Sequence, residues 1–342
     1  MKKILAALIL AMAVIGCGGK EKDKNVLYVY GWANTIPQSI YEDFEKETGI
    51  KVVEDIYSSN EEMFTKLKAG GDGYDIVMPS ADYVEIMAKE GMIEKLDKSQ
   101  LPSYNNLDPL VLEKLHHFDP NNEYEVPYLI GATIIAVNKK YVPEFSRDYS
   151  IYEMTDLKGR MTLLDDMREV MTSALGMLGY SQTVTDEKAI AQAAELIKVW
   201  KKNIAKFDAE SFGKGFASGD FWVVQGYPDN IFKELDETER KNVEMIIPEK
   251  GGTAYVDSFA LLKTAPNKEN AYKFLEYTLR PEVAAKMADA LETPSVNLKA
   301  RELMTVEPLF EISDLKNVQV LRDINTTLDL QNKYWQEILI AD

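Results

Sequence analysis

Between Val26 and Gly91 the chain alternates short β-rich runs with amphipathic stretches, and this alternation most narrows what it can fold into. Val26 to Gly31 is a β-rich run that meets a turn, after which Ile36, Ile40 and Phe44 recur at four-residue spacing up to Gly49. Ile50 to Val53 gives a second strand, Ser59 and Glu62 have the spacing of a capping box, and Met63 and Leu67 carry an apolar face on to Gly70. Tyr74 to Met78 is a third strand, broken by Pro79 and Ser80, and Val84, Met87 and Ala88 line a helix that Gly91 ends. Successive strand–helix units need crossover connections, so the expected class is α/β, with a largely parallel sheet covered by helices on both faces.

The same signals resume downstream. Glu125 to Val137 is β-rich, Met161 to Leu164 reads as a strand running into Asp165 and Asp166, and Phe221 to Val224 and Val256 to Leu262 read as further strands. A helix from about Thr185 carries Ile190, Ala193, Ala194, Ile197 and Trp200; Asn267 is placed to cap another, and Pro281 suits the first turn of a third. A chain of 342 residues exceeds what one hydrophobic core usually serves, so two lobes are expected. In open sheets of this kind ligands sit outside the carboxyl ends of strands. The polar and aromatic residues there are Trp32, Ser80, Asp165, Asp166, Glu169, Gln225, Tyr227, Asp229, Tyr255 and Asp257.

The N-terminus carries an address. Lys2 and Lys3, an apolar run from Ile4 to Ile15, and the small Gly16 before Cys17 form the three regions of an export signal. Val14, Ile15, Gly16 and Cys17 resemble a bacterial lipobox, in which the cysteine is lipidated and becomes the first mature residue. Gly18 to Asn25 is small and charged and reads as a tether. Cys17 is the sole cysteine, so no disulfide is available to staple the fold.

The chain has a formal net charge of −17, and loss of Lys2 and Lys3 with residues 1–16 takes it to −19. Such a chain repels phosphate backbones, which argues against a nucleic-acid partner. Its charge suits a cationic ligand, and equally suits plain solubility. The two histidines, His116 and His117, are adjacent and so point apart, which does not make a metal site. Neither a Gly-x-Ser-x-Gly elbow nor a phosphate loop is present, and no catalytic role is assigned. Carboxylates and aromatic faces beyond strand ends are the chemistry that holds an organic ammonium.

Those residues lie in longer matches. Tyr-Gly-Trp at Trp32, Glu-Thr-Gly-Ile-Lys-Val at 47–52, Tyr-Asp-Ile-Val-Met-Pro-Ser at 74–80, Asp-Asp-x-Arg-Glu-Val at 165–170 and Val-Asp-Ser at 256–258 occur in that order. So do Lys-Glu-Gly-Met-Ile at 89–93, Phe-Asp-Pro-Asn-Asn at 118–122 and Asn-Leu-x-Ala-Arg at 297–301. From Leu27 to about Ala300 the chain resembles the spermidine/putrescine-binding proteins of bacterial polyamine ABC transporters. The resemblance implies a two-lobed type II periplasmic-binding-protein fold, each lobe a mostly parallel sheet flanked by helices, with the ligand cleft between them. It implies a signal peptide at 1–16, a lipidated tether at 17–25, one lobe from 26–133 plus 252–300 and another from 134–251 plus 301–342.

The resemblance further implies no cofactor, a polyamine ligand, a permease and a cytoplasmic ATPase as partners, a monomer, and an extracytoplasmic position at the membrane. By resemblance, Trp32 walls the pocket, Ser80 makes a polar contact, Asp166 and Glu169 meet one amine, and Asp257 grips the other beside Tyr255. Thr35 and Asp82 stand where polyamine binders usually have tyrosines, Gln225 and Tyr255 replace tryptophans, and Thr293 replaces a tyrosine. Asp82 would add a third carboxylate, and Trp222, Tyr227 or Asp229 would compensate for lost rings. Two rival readings stay open: the same fold with another amine, amino acid or sugar, and a surface lipoprotein without transport.

Overall fold

The computed structural model describes residues 25–32, 35–324 and 326–341. The expected leader, the lipidation residue Cys17 and all of the tether but Asn25 lie outside the described residues.

Local chemistry accounts for the first units. Strand β1 (Val26–Trp32) is followed by the helix Gln38–Thr48, which turns Ile40, Tyr41 and Phe44 to the core. The helix stops at Gly49, whose φ of +71° lets its N–H return to the carbonyl of Glu45 at 2.8 Å. After β2 (Lys51–Tyr57), the Ser59 hydroxyl accepts from the Glu62 N–H at 3.1 Å and caps the helix Asn60–Lys68. The Glu62 carboxylate reaches back to the N–H of Ser58 at 2.9 Å, one residue beyond the reciprocal partner of a capping box. Asn267 precedes the helix Lys268–Thr278 but does not cap it; its N–H and side-chain amide both donate to Asp75.

The remaining strands are β3 (Ile76–Val77), β4 (Glu125–Ala132), β5 (Ile134–Asn138), β6 (Met161–Leu163), β7 (Lys206–Phe207), β8 (Val223–Gly226), β9 (Val243–Ile246), β10 (Thr253–Leu261) and β11 (Gln319–Val320). One sheet runs β11-β10-β3-β1-β2, with β4 along β10; the other runs β7-β6-β8-β5-β9. Parallel pairs (β1 with β2 and β3, β6 with β7 and β8) form the frame of each lobe. The strands next to the crossings, β10 on β3 and β4 and β5 on β8 and β9, join antiparallel, so both sheets are mixed.

Each sheet has its own core. Leu27, Val29, Ile40, Phe44 and Phe259 are buried in the first, and Trp200 stacks on Tyr149 at 5.6 Å in the second. The chain crosses between sheets from β4 to β5, from β9 to β10, and again after β11.

The last crossing differs from the expected boundary at 300. Phe310, Ile312, Leu315 and Val318 are buried in the first core, and β11 pairs parallel with β10. Among the described residues after β11, the helix Leu328–Ile340 enters the second lobe, burying Trp335 and Ile338. Residues 301–320 form short 3-10 and strand pieces without helical or strand period, so their apolar residues carry no pattern that assigns them to a core.

Truncating Leu315 to Ala and Trp335 to Ala separates the lobes experimentally. Each change should cost about 2–5 kcal/mol. Hydrogen exchange should show lost protection in β1 and β3 for the first and in β6 and β8 for the second; the reverse pattern would contradict this assignment.

Candidate ligand site between the lobes

The ends of β1, β3, β6 and β8 and the interior of β10, where Tyr255 and Asp257 lie, bring the expected residues together. On the first lobe, Ser80 stands at the start of the helix Ala81–Lys89 but does not cap it. Its hydroxyl donates to Asp257 Oδ1 at 2.6 Å and accepts from the Asn60 amide at 3.1 Å. Asn60, Ser80 and Asp257 thus form one chain of hydrogen bonds that fixes the carboxyl of β10. Tyr255, two residues earlier, lies over Gly131 of β4, where a Cβ would fall 2.1 Å from its ring. Trp32 closes this wall against Tyr57, ring centres 4.5 Å apart, and its indole nitrogen is buried with no partner among the described residues.

On the second lobe, the helix Met167–Met177 begins where β6 ends. Asp166 caps it, accepting the N–H groups of Arg168 and Glu169 at 2.9 and 3.1 Å. Glu169 is buried and accepts from the hydroxyl of Thr253, the first residue of β10, at 2.5 Å. Tyr227, just past β8, meets Tyr255 edge-on at 5.7 Å, so one ring from each lobe faces the other across the cleft. Burial raises both tyrosine hydroxyls well above their ordinary range, and the charges of Glu169 and Asp257 raise both further.

The two principal acids are alike. Burial, aided by the charge of Asp166, pushes Glu169 up to about 7, with the Thr253 hydroxyl opposing. Burial also pushes Asp257 up to about 7, with Ser80 opposing and Asp82 adding repulsion. Neither carboxylate forms an ion pair among the described residues. Burial raises Asp229 as well, and it lies within the field of Tyr255.

Two expected ligand residues are engaged elsewhere. Asp82 is 5% exposed and paired with Arg168 at 2.9 Å, so its carboxylate is not a free third acid. Gln225 is fully buried, its oxygen accepting from Leu164 N–H at 3.1 Å and its amide donating to Tyr149 and Ser173 at 3.1 and 3.4 Å. It braces β6 to β8 behind the cleft. Trp222 stacks on Tyr141 at 5.2 Å, at the far end of β8 from Tyr227.

Sequence reasoning overlooked Asn60 and Thr253, whose side chains matter only because folding sets them beside Ser80 and Glu169. It also missed Tyr128, whose buried hydroxyl lies in the field of Asp257.

Comparison with known proteins decides the lineage. The family model described as bacterial extracellular solute-binding protein matches residues 39–311. The chain belongs to this family. It is 37% identical to the spermidine/putrescine-binding periplasmic protein of Escherichia coli K12, over 98% of this chain and 97% of that one. It is 32% identical to the putrescine-binding periplasmic protein SpuD of Pseudomonas aeruginosa, over 97% and 94%. The solved Tp0655 (TpPotD) lipoprotein of Treponema pallidum superposes with a TM-score of 0.88 at 38% identity, over 92% of this chain and 99% of that one. The expected two-lobed binding-protein fold is therefore confirmed, and the protein binds a solute instead of transforming one.

Glu169 and Asp257 both hold protons in the folded state up to about pH 7, against ordinary values of 4.5 and 3.8. Between about pH 4 and 7 the folded state binds more protons than the unfolded chain, so stability falls as pH rises through that window. In the absence of ligand, the urea midpoint should drop between pH 5 and 8, and that drop should shrink in a Glu169→Gln, Asp257→Asn double variant. An equal drop in both proteins would show that these acids are not the titrating groups.

Proposed function

We propose that this chain is the lipid-anchored, extracytoplasmic capture component of an ABC importer, and that its cargo is a polyamine such as putrescine or spermidine. The carrying observation is the pair of buried carboxylates, Glu169 and Asp257, one from each lobe, neither of them ion-paired among the described residues. An organic diammonium supplies the missing charges, and the Tyr227 and Tyr255 rings give its methylenes an apolar wall with cation–π contact. Each carboxylate alone is a costly buried acid; bridged by one ligand, both become satisfied.

Capture follows from this arrangement. With the lobes apart, Asp257 with its Ser80 partner and Glu169 belong to separate surfaces. A ligand that touches both binds the closed form better and shifts the population toward it, through hinge motion at the three crossings. The closed protein is then the form that a permease, driven by a cytoplasmic ATPase, would read. Support comes from relatives, since a similar solved protein of Streptococcus pneumoniae, 25% identical with a TM-score of 0.83, is described as a spermidine/putrescine ABC transporter substrate-binding protein.

The lipobox-like Val14 to Cys17 supports a thioether-linked lipid at Cys17, and the Treponema relative is described as a lipoprotein. The charged segment to Asn25 would leave a monomeric, two-lobed domain free to close near the bilayer.

Two experiments test these points. A thermal-shift screen of putrescine, spermidine, spermine, cadaverine, arginine and agmatine should register about 2.7 kcal/mol of stabilisation at 100 times the dissociation constant. Asp257→Asn should weaken the best amine about 30-fold or more by calorimetry, and affinity for the unmodified protein should rise from pH 6 to 8 as the two acids ionise. Absence of any shift with these amines sinks the cargo assignment. Separately, Cys17→Ala should move the full-length protein from the membrane fraction to the soluble one and abolish labelling by a radioactive fatty acid; retained labelling would place the lipid elsewhere.

A further inference from the structure

One ion pair spans the cleft and is used by neither lobe's core. Arg168, from the helix that begins at Asp166, donates to Asp82 of the helix Ala81–Lys89 at 2.9 Å. The same guanidinium donates to the carbonyl of Arg322 at 3.0 Å, just beyond β11 where the chain makes its last crossing. A protein cation therefore neutralises Asp82, a carboxylate whose charge also reaches Asp257, and does so from the residue next to Glu169.

We propose that the Arg168–Asp82 pair is a length gate: it plugs one end of the cleft and restricts the cargo to a diamine, excluding the third ammonium of a triamine. This rests on the polyamine reading above and narrows it. With Asp82 occupied, the buried cleft acids without an ion pair among the described residues are Asp257 on one lobe and Glu169 on the other; Asp229, near Tyr255, is less buried, takes the N–H of Asn230 and lies in the field of Lys233 on its own helix. A straight diammonium places both its charges there and leaves none over.

The span agrees. Glu169 touches Thr253, and Asp257 is four residues farther along the same strand, about 13 Å at the usual rise per residue. A four-carbon diamine of about 6 Å between nitrogens, with a contact of about 2.8 Å at each end, fills about 12 Å. A longer triamine must carry its extra ammonium past one acid, toward Arg168. There it meets like charge, and it reaches Asp82 only by displacing a guanidinium that is anchored on both lobes and half-buried.

The test is calorimetry with putrescine and spermidine on the full two-lobed protein. The wild type should bind putrescine about tenfold or more tighter than spermidine. Arg168→Gln frees Asp82 as a third acid and should move the ratio about tenfold or more toward spermidine, while Arg168→Lys keeps a cation and should keep the preference. Asp82→Asn leaves Arg168 uncompensated and should weaken both amines, spermidine more. Should Arg168→Gln fail a folding check by thermal melt, the Asp82→Asn, Arg168→Gln double variant removes the plug without leaving a buried charge and should likewise relax the preference.

A wild type that binds both amines equally overturns the gate, as does a ratio unmoved by removing Arg168, even if both affinities fall together. Failure of the wild type to bind either amine overturns the polyamine reading itself, which is a separate result.

Discussion

The two buried cleft carboxylates, Glu169 and Asp257, one on each lobe and neither ion-paired among the described residues, impose the condition that the rest of the site meets. Burying an isolated charge is expensive, and a protein ordinarily relieves the expense with a lysine or arginine. Glu169 and Asp257 instead have hydroxyls, those of Thr253 and Ser80, which hold the carboxyls in place without neutralising them. Under the function proposed above, a dication entering between them satisfies both at once. Arg168, whose charge reaches Glu169, is paired instead with Asp82.

The hinge is built from the same parts. Thr253, which steadies Glu169 of the second lobe, opens the strand that carries Tyr255 and Asp257 of the first. Gln182 of the second lobe clasps the last crossing from both sides, donating to the carbonyl of Val320 at 2.9 Å and accepting from the N–H of Arg322 at 2.9 Å. Arg168 donates to the same strap. The two cleft acids, the crossing strands and the cross-cleft pair are thus linked through neighbouring hydrogen bonds.

Local signals mark the elements that carry these residues. The four-residue recurrence of Ile36, Ile40 and Phe44 and the stop at Gly49 marked a real helix, and the Asp-Asp-x-Arg-Glu stretch marked a real strand-to-helix turn. Asp166 and Glu169 stand just past β6, where residues beyond strand ends face the cleft in such sheets, whereas Tyr255 and Asp257, expected beside a strand end, lie inside β10. Asp82 and Gln225 were misjudged for a common reason: their chemistry suited a ligand, and nothing local revealed that Arg168 in one case and Leu164, Tyr149 and Ser173 in the other would claim it. The segment 301–320 was placed in the wrong lobe because short irregular pieces show no period for a core to select.

By itself the sequence determined the class of fold, the lack of a second cysteine for a disulfide and the abundance of acids near strand ends, because these depend on residue type and on spacing along a few turns. Only the tertiary structure decided which acids are free. Whether a carboxylate awaits a ligand or has found a cation is settled by partners far apart in the chain, 86 positions in the case of Asp82 and Arg168, brought together by the crossings that fold one lobe over the other.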